Sequence, residues 1–239
     1  MTQETRALLD HLERFDTPTI CNALEVVQAD LRGQGATWRG FIGTASAGGT
    51  PWDGGGRRAV CGPAVTARIR ARDADDRSPP AVRSEWYRRV AGSPGCVVVI
   101  EDLDAATPPG PVGAFWGEVN TAVHAKLGAR GAVTNGVIRD LDDVDPRFLL
   151  LGGAVAPSHH FVRWVDQGQG ATVQGMAVAE GELVHADRHG AVRIPRDALP
   201  ALAGAIAEMG RREAPMLAWA RADGPADLDA LDRIIGALH

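Results

Sequence analysis

Residues 95–102 read Gly-Cys-Val-Val-Val-Ile-Glu-Asp, and the run Cys96–Ile100 at their centre decides the fold class. Five apolar residues, mostly β-branched, between a glycine and two acids are typical of a buried strand. Downstream, a helix is predicted from about Gly117 to Leu127, and Gly128 ends it because glycine commonly follows a helix C-terminus. A short strand over Gly131–Thr134 comes next. This order of strand, helix and strand predicts an α/β domain.

The segments upstream of this run predict two helices, an irregular stretch and further α/β elements. Thr17 is the expected N-cap of the second helix, with Pro18 in its first turn. The expected elements are helices over Glu4–Phe15 and Thr17–Val27, a glycine-rich loop over Gly33–Gly56, a strand pair or bent strand over Ala59–Ile69 broken at Gly62-Pro63, and a helix over Ala81–Ala91 with Trp86 and Val90 facing inward.

The second half of the chain predicts short strands separated by glycine turns, followed by helices. Arg139–Val144 is expected to form one helical turn. The expected strands are Leu149–Leu151, Val155, Ala171–Val173, Met176–Val178, Leu183–Val184 and Val192–Ile194, and the helices are Arg196–Met216 and Leu228–Leu238. No internal repeat and no linker interrupts the pattern. Residues 1–239 are therefore expected to form a single domain with helices at both ends.

Composition excludes several classes of protein. The net charge of −5 argues against nucleic-acid binding as the main role. The sequence has neither an apolar run long enough to cross a bilayer nor a secretory signal pattern at its N-terminus. Cys21, Cys61 and Cys96 are widely spaced in apolar surroundings and are expected to be buried free thiols. These features together predict a cytoplasmic protein.

The most informative chemistry lies between Gly117 and Asp140. Gly117 opens a helix, and the first-turn amides of a helix have no intrahelical partners and attract anions. Arg139 offers a bidentate fork for a carboxylate, and Asp140 is a hard oxygen ligand for Mg²⁺ or Mn²⁺. Together they would clamp a 2-oxo acid. A surface salt bridge beside an ordinary helix start explains the same residues on spacing alone.

These residues resemble a known family. The stretch Gly117-Glu118-Val119-Asn120, followed by GVIRDLDD over Gly136–Asp143, together with an upstream CGPAVTA and a downstream HADRHGAVRIP, resembles the RraA-like family. That family includes class II pyruvate aldolases acting on 4-hydroxy-4-methyl-2-oxoglutarate and 4-carboxy-4-hydroxy-2-oxoadipate, and proteins named for inhibiting ribonuclease E. The resemblance covers roughly Leu12 to Met216. It implies a swivelling β/β/α domain, like the phosphohistidine domain, with flanking N- and C-terminal helices, in a homotrimer or homohexamer.

The resemblance also implies roles for individual residues. Asp140 would ligate the metal, Arg139 would bind the carboxylate or enolate oxygen of the substrate, and the backbone of Gly117–Asn120 would hold a pyruvate carboxylate. Glu118, where the family usually has aspartate, would reach the metal through water. A neighbouring subunit's C-terminal helix would add an acid, Glu213 or, failing that, Glu208. Asn22 stands where the family usually has an acid, so the resemblance gives it no role.

The implied function is that of a metal-dependent lyase that cleaves a C–C bond of a small 2-oxo acid through a pyruvate enolate, by retro-aldol cleavage, oxaloacetate decarboxylation or both. A Schiff-base route needs a desolvated lysine. Lys126 is the only lysine and lies near a helix C-terminus, so a metal is expected to act as the electron sink. The alternatives are a non-catalytic regulatory binder of the ribonuclease E inhibitor type and an enzyme with a substrate outside the family's usual range.

Other candidate sites have competing structural explanations. His185, Asp187 and His189 occupy alternate positions, as metal ligands on one face of a strand would. The same residues also suit a turn. His159 or His160 could act as acid or base, Arg163 could face substrate, and Trp116 could roof the pocket. The glycine pairs around Gln34 and Gln169 lack the strand and helix of a dinucleotide fingerprint, and the sequence has no P-loop or nucleophile elbow.

Overall fold

The structure is a computed structural model that describes residues 1–43, 59–72, 78–105, 113–159 and 161–237. Six α-helices lie in the described part. They are α1 Gln3–Leu12, α2 Thr17–Val27, α3 Pro80–Ala91, α4 Glu118–Lys126, α5 Leu199–Ala220 and α6 Leu228–Ala237, with a 3-10 helix over Ala29–Leu31. None of these helices has the length and apolar character needed to cross a membrane. His160 and much of the glycine-rich stretch lie outside the described residues.

Thirteen strands complete the described architecture. They are β1 Ile42–Gly43, β2 Val60–Arg70, β3 Val97–Asp102, β4 Ala114–Trp116, β5 Gly131–Thr134, β6 Val137–Ile138, β7 Leu149–Gly152, β8 Ala154–Val155, β9 Arg163–Gln167, β10 Ala171–Val173, β11 Met176–Val178, β12 Leu183–Asp187 and β13 Gly190–Ile194. An eight-stranded sheet has the order β1-β7-β5-β3-β2-β12-β13, with β9 also paired to β2. β4, β6 and β8 form a small parallel sheet. The expected mixed α/β fold with flanking helices is confirmed.

The Cys96–Ile100 run forms the centre of the sheet, as predicted. β3 pairs in parallel with β2 on one side and with β5 on the other. Its side chains alternate between two cores: Val98 and Ile100 pack with Trp86 and Trp116, whereas Val97 and Val99 pack toward β10 and β11. A strand covered on both faces reads as a continuous apolar run because neither face meets water. Here local pattern and tertiary environment agree.

Two expectations about the N-terminal half are wrong. β2 runs unbroken through Gly62-Pro63. Pro63 is the last residue paired with β12 and precedes the first residue paired with β3, so its missing N–H lies at the end of a ladder. The N-cap of α2 is Asp16, whose carboxylate accepts from the Thr19 amide at 3.0 Å. The Thr17 hydroxyl instead forms a hydrogen bond with the His185 ring.

The expected positions of the C-terminal elements also need correction. α5 begins at Leu199, three residues after the expected start, and continues through Pro215 to Ala220. The charged strand β9 (Arg163–Gln167) was not expected, because its sequence lacks an apolar alternation. It forms because the second half of β2 offers it a free edge beyond the end of β12. All three cysteines are free, as expected; Cys61 and Cys96 are buried, whereas Cys21 is only half-buried.

Two buried histidines predict how stability depends on pH. His124 receives the Trp86 indole N–H at 2.8 Å and donates to the Asn120 carbonyl at 2.6 Å. His185 receives the Thr17 hydroxyl at 3.0 Å and donates to the Leu12 carbonyl at 3.2 Å. Burial lowers the pKa of each imidazole to about 4, because a charged ring cannot be solvated there. Both rings are therefore neutral core residues at neutral pH.

The unfolding free energy should fall by about 2 kcal/mol when the pH is lowered from about 7 to about 5. Between pH 4 and 6.5 the two histidines bind protons in the unfolded chain but stay neutral in the folded protein. Burial raises the pKa of Asp102 to about 6, which opposes this trend below pH 6 but does not outweigh two histidines. Denaturant titration at both pH values measures the change. His124→Gln should remove much of this change in unfolding free energy, and the exposed His11→Gln should remove none of it. An equal change in all three proteins would contradict the assignment of the pH dependence to the buried histidines.

Candidate functional site

The carboxyl end of β6 and the start of α4 meet in one place, which we call the Gly117 corner (Gly117, Glu118, Arg139 and Asp140). β4 leads into Gly117, and the parallel pairing of β4 with β6 brings Arg139 alongside, where its amide donates to the Trp116 carbonyl at 3.0 Å. Two hydrogen-bonded strands thus bring together Gly117 and Arg139, which are more than twenty residues apart in the sequence. The predicted association of the helix start with Arg139 and Asp140 is present in the structure.

Asp140 supplies the N-terminal cap that glycine cannot give to α4. Its Oδ2 accepts from the Glu118 amide at 3.3 Å, and Arg139 Nε lies 3.5 Å from the same oxygen. The backbone of Asp140 is left-handed, with φ of 54°. About a third of each of the two side chains is exposed, 36% for Arg139 and 31% for Asp140. A left-handed aspartate is uncommon outside turns, and here it directs the carboxylate back at the helix start.

Gly117 is required by this close approach. A Cβ atom at position 117 would overlap Asp140 Oδ2 and would lie 3.1 Å from Arg139 Cγ. The backbone of Gly117 is extended, so its conformation does not call for glycine. The absence of a side chain therefore serves the contact with Asp140.

A cavity of about 740 Å³ opens beside the Gly117 corner. Gly117, Val119, Asn120 and Arg139, four of the predicted site residues, line it, and so does His159. The side chain of Glu118 is exposed and does not line this cavity. Asp140 borders it only through its contacts with Gly117 and Arg139. The start of α4 and the Arg139 guanidinium thus lie side by side on the cavity wall.

The sequence did not indicate the rest of the cavity wall. Arg83, Ser84 and Tyr87 come from α3. Phe115 comes from β4, Trp164 comes from β9, and Phe161 lies just before β9. The Tyr87 hydroxyl lies 3.5 Å from Asn120 Oδ1, and the Asn120 side-chain amide donates to the Phe115 carbonyl, so α3 and β4 are tied to the first turn of α4. Arg83 and Tyr87 are four residues apart on one helix face, which is the only sequence signal that these residues share a wall.

Several predicted candidates lie elsewhere. Trp116 is fully buried in the core beside His124 and Phe148, so it does not roof the cavity. His185 is a core residue and Asp187 accepts from the Thr17 and His189 amides, which confirms their structural explanation. No three His, Cys, Asp or Glu side chains in the described ranges converge as a metal cluster. Arg163, the first residue of β9, is in register with Arg70 of β2 and does not line the cavity.

The remaining acids and the lysine are all exposed. Glu208 and Glu213 lie on α5, where Glu208 pairs with Arg211 at 2.5 Å. Asn22 is exposed on α2, and Asp143 is exposed in the turn after Asp140. Lys126 is exposed in the last turn of α4, about 13 Å along the helix from Gly117. It is therefore unsuited to form a Schiff base in the cavity.

Comparison with known proteins identifies a family and a fold. The profile of the RraA-like family, described as Aldolase/RraA, matches residues 17–193. An uncharacterized protein from Pseudomonas syringae pv. tomato str. DC3000 is similar in structure, with a TM-score of 0.68, 18% identity and coverage of 95% of this chain and 94% of that one. Streptomyces coelicolor RraAS2, described as an unusual member of the RNase ES inhibitor RraA family, has a TM-score of 0.62, 19% identity and coverage of 87% and 93%. No curated protein sequence gives a significant match.

Proposed function

The chain belongs to the RraA-like family, and from the Gly117 corner we propose that it is a divalent-metal-dependent lyase that cleaves a C–C bond of a 2-oxo acid and releases pyruvate. The observation that carries the proposal is the placement of Arg139 and the start of α4 on one cavity, with the Asp140 carboxylate held against Gly117. The same residues could have been an isolated surface ion pair, but such a pair needs neither the glycine nor the cavity.

The donor set fits Mg²⁺ or Mn²⁺. Mg²⁺ in enzymes keeps several waters and is held by one or two carboxylates, and a single partly exposed Asp140 with Glu118 nearby meets that pattern. When bound, such an ion polarises the 2-oxo group and stabilises the negative charge that C–C cleavage leaves behind. The proposal includes a homotrimer or hexamer in which Glu213 or Glu208 of an adjacent subunit completes the site.

The chain's own residues would bind and orient the substrate. The Val119 and Asn120 amides lie in the first turn of α4, where the helix offers them no acceptor, and they would hold the substrate carboxylate. The Arg139 guanidinium faces the same space and would stabilise charge on the 2-oxo oxygen. His159 also lines the cavity and can exchange a proton with the substrate. Half-buried Phe115 and Trp164 would limit water near the breaking bond.

Purified protein with Mg²⁺ or Mn²⁺ should release pyruvate from oxaloacetate or from 4-hydroxy-4-methyl-2-oxoglutarate, and EDTA should abolish the release. A lactate dehydrogenase coupled assay measures it, with the spontaneous decay of oxaloacetate in metal buffer subtracted. Adding excess Mg²⁺ after EDTA should restore the rate. Turnover that survives the chelator would contradict the metal mechanism, and no turnover on a panel of 2-oxo acids would favour a regulatory binding protein.

A further inference from the structure

The cavity is larger than a three-carbon 2-oxo acid requires. Its volume of about 740 Å³ lies within the range of pockets that enclose drug-sized ligands, roughly 300–1,000 Å³. The Gly117 corner accounts for the carboxylate and 2-oxo group of a substrate. The remaining space is available to the part of the substrate that leaves after cleavage, and its walls indicate the chemistry of that part.

The remaining wall combines an aromatic and apolar group with polar residues. The polar members are Ser78, Arg83, Ser84 and His159. The aromatic and apolar group comes from α3 and the segment before it, from β4, and from β9 and the residues before it; its main members are Pro79, Tyr87, Phe115, Phe161, Val162 and Trp164. Phe161 keeps 38% of its surface exposed, and Val119 on the first turn of α4 keeps 70%. Apolar side chains that line a cavity and still face water gain free energy when an apolar ligand covers them.

The aromatic wall is also rigid. The rings of Phe115 and Trp164 meet edge to face with their centroids 5.1 Å apart, and Trp164 packs against buried Trp86 at 4.9 Å. The Trp164 amide donates to Ser78 Oγ at 2.8 Å, which joins β9 to the segment that precedes α3. Aromatic pairs prefer offset or edge-to-face contacts, so a third ring can join this group without rearrangement.

We propose that the leaving part of the substrate is an aromatic ring, and that the enzyme cleaves 2-oxo acids of the 4-hydroxy-2-oxo-4-arylbutanoate class, with the ring held by Phe115, Phe161 and Trp164. This inference rests on the proposed function. In the reaction the 4-hydroxyl loses its proton, and the electron pair of the O–H bond forms the C=O of an aryl aldehyde. The C3–C4 bond breaks, and its electron pair goes to C3 as the pyruvate enolate. C3 takes up a proton, so the products are pyruvate and the aldehyde, with no oxidant or reductant.

Arg83 offers the competing chemistry, since a second carboxylate on the substrate could pair with it. The side chain of Arg83 is exposed, and exposed ion pairs contribute little because water screens them. The rings of Phe115 and Trp164 are half-buried and already packed together. The wall therefore favours a ring over a second anion.

Calorimetric titration in Mg²⁺ buffer with pyruvate, phenylpyruvate and 2-oxoglutarate, none of which the proposed reaction cleaves, tests the inference without relying on turnover. Phenylpyruvate should bind at least tenfold more tightly than pyruvate. Phe161→Ser should reduce that advantage to less than about threefold while pyruvate binding stays unchanged. Val165→Ser is the matched control, because Val165 lies on β9, is 41% exposed and does not line the cavity. It should keep the full preference.

Equal affinities for pyruvate and phenylpyruvate, or an undiminished preference in Phe161→Ser, would overturn the inference and leave the proposed function intact. Tighter binding of 2-oxoglutarate than of phenylpyruvate, lost in Arg83→Gln, would also overturn it, because the substrate would then carry a second anion. If no 2-oxo acid binds and none releases pyruvate, both the inference and the proposed function are wrong.

Discussion

Asp140→Asn is expected to lower the rate of metal-dependent pyruvate release by about a thousandfold or more while the melting temperature stays within about 2 °C of that of the parent protein. The amide keeps an oxygen that can accept from the Glu118 amide, so the cap of α4 survives. Asparagine also tolerates the left-handed backbone that position 140 adopts. The substitution therefore removes the negative charge and little else.

This separation of charge from capping makes Asp140→Asn more informative than Asp140→Ala. Asp142→Asn serves as the control, because Asp142 is exposed in the same turn and loses the same charge. Initial rates with saturating Mg²⁺ and thermal unfolding curves should be measured on all three proteins. If Asp140→Asn retains most of its activity, Asp140 is a helix cap only, and the metal must be sought elsewhere.

Gly117→Ala is expected to reduce kcat/KM by about a hundredfold, because displacement of reacting groups by about 1 Å costs that much. The added methyl group would overlap Asp140 Oδ2 and press on Arg139 Cγ, so both functional side chains must move. The extended backbone at position 117 accepts alanine, so the effect is one of space and not of backbone conformation. Steady-state kinetics and circular dichroism together separate loss of activity from loss of fold.

Gly204→Ala provides the control for a glycine substitution. Gly204 lies in α5 with no atom within 4 Å of an added Cβ, so alanine should leave kcat/KM unchanged and raise helix stability by up to about 1 kcal/mol. A Gly117→Ala protein with parental kinetics would show that the contact between residues 117 and 140 has no part in catalysis.

Local sequence patterns predicted the elements of the site well. The helix from Gly117 to Leu127 and the strand Gly131–Thr134 are present, within one or two residues. These elements depend on the spacing of apolar residues and on glycines at their ends. Both features involve neighbours in the chain, so they can be read directly from the sequence. The helical turn expected over Arg139–Val144 is wrong: the segment is a non-helical turn, because the backbone of Asp140 is left-handed. The alternating His185, Asp187 and His189 illustrate the opposite case, because the same alternation suits a metal site or a buried hydrogen-bond network.

By itself the sequence determined the α/β class and the buried central strand at Cys96–Ile100, whereas for the helix start with Arg139 and Asp140 its spacing also allowed a surface salt bridge. Only the tertiary structure decided that Asp140 caps α4, that Trp116 belongs to the core, and that α3 and β9 supply the aromatic wall of the cavity. The reason is physical: strand and helix propensities act over a few residues, whereas a cavity wall forms where sheet pairing brings distant segments together. The rings of Phe115 on β4 and Trp164 on β9 touch although the two strands belong to different sheets, and no pattern along the chain records that contact.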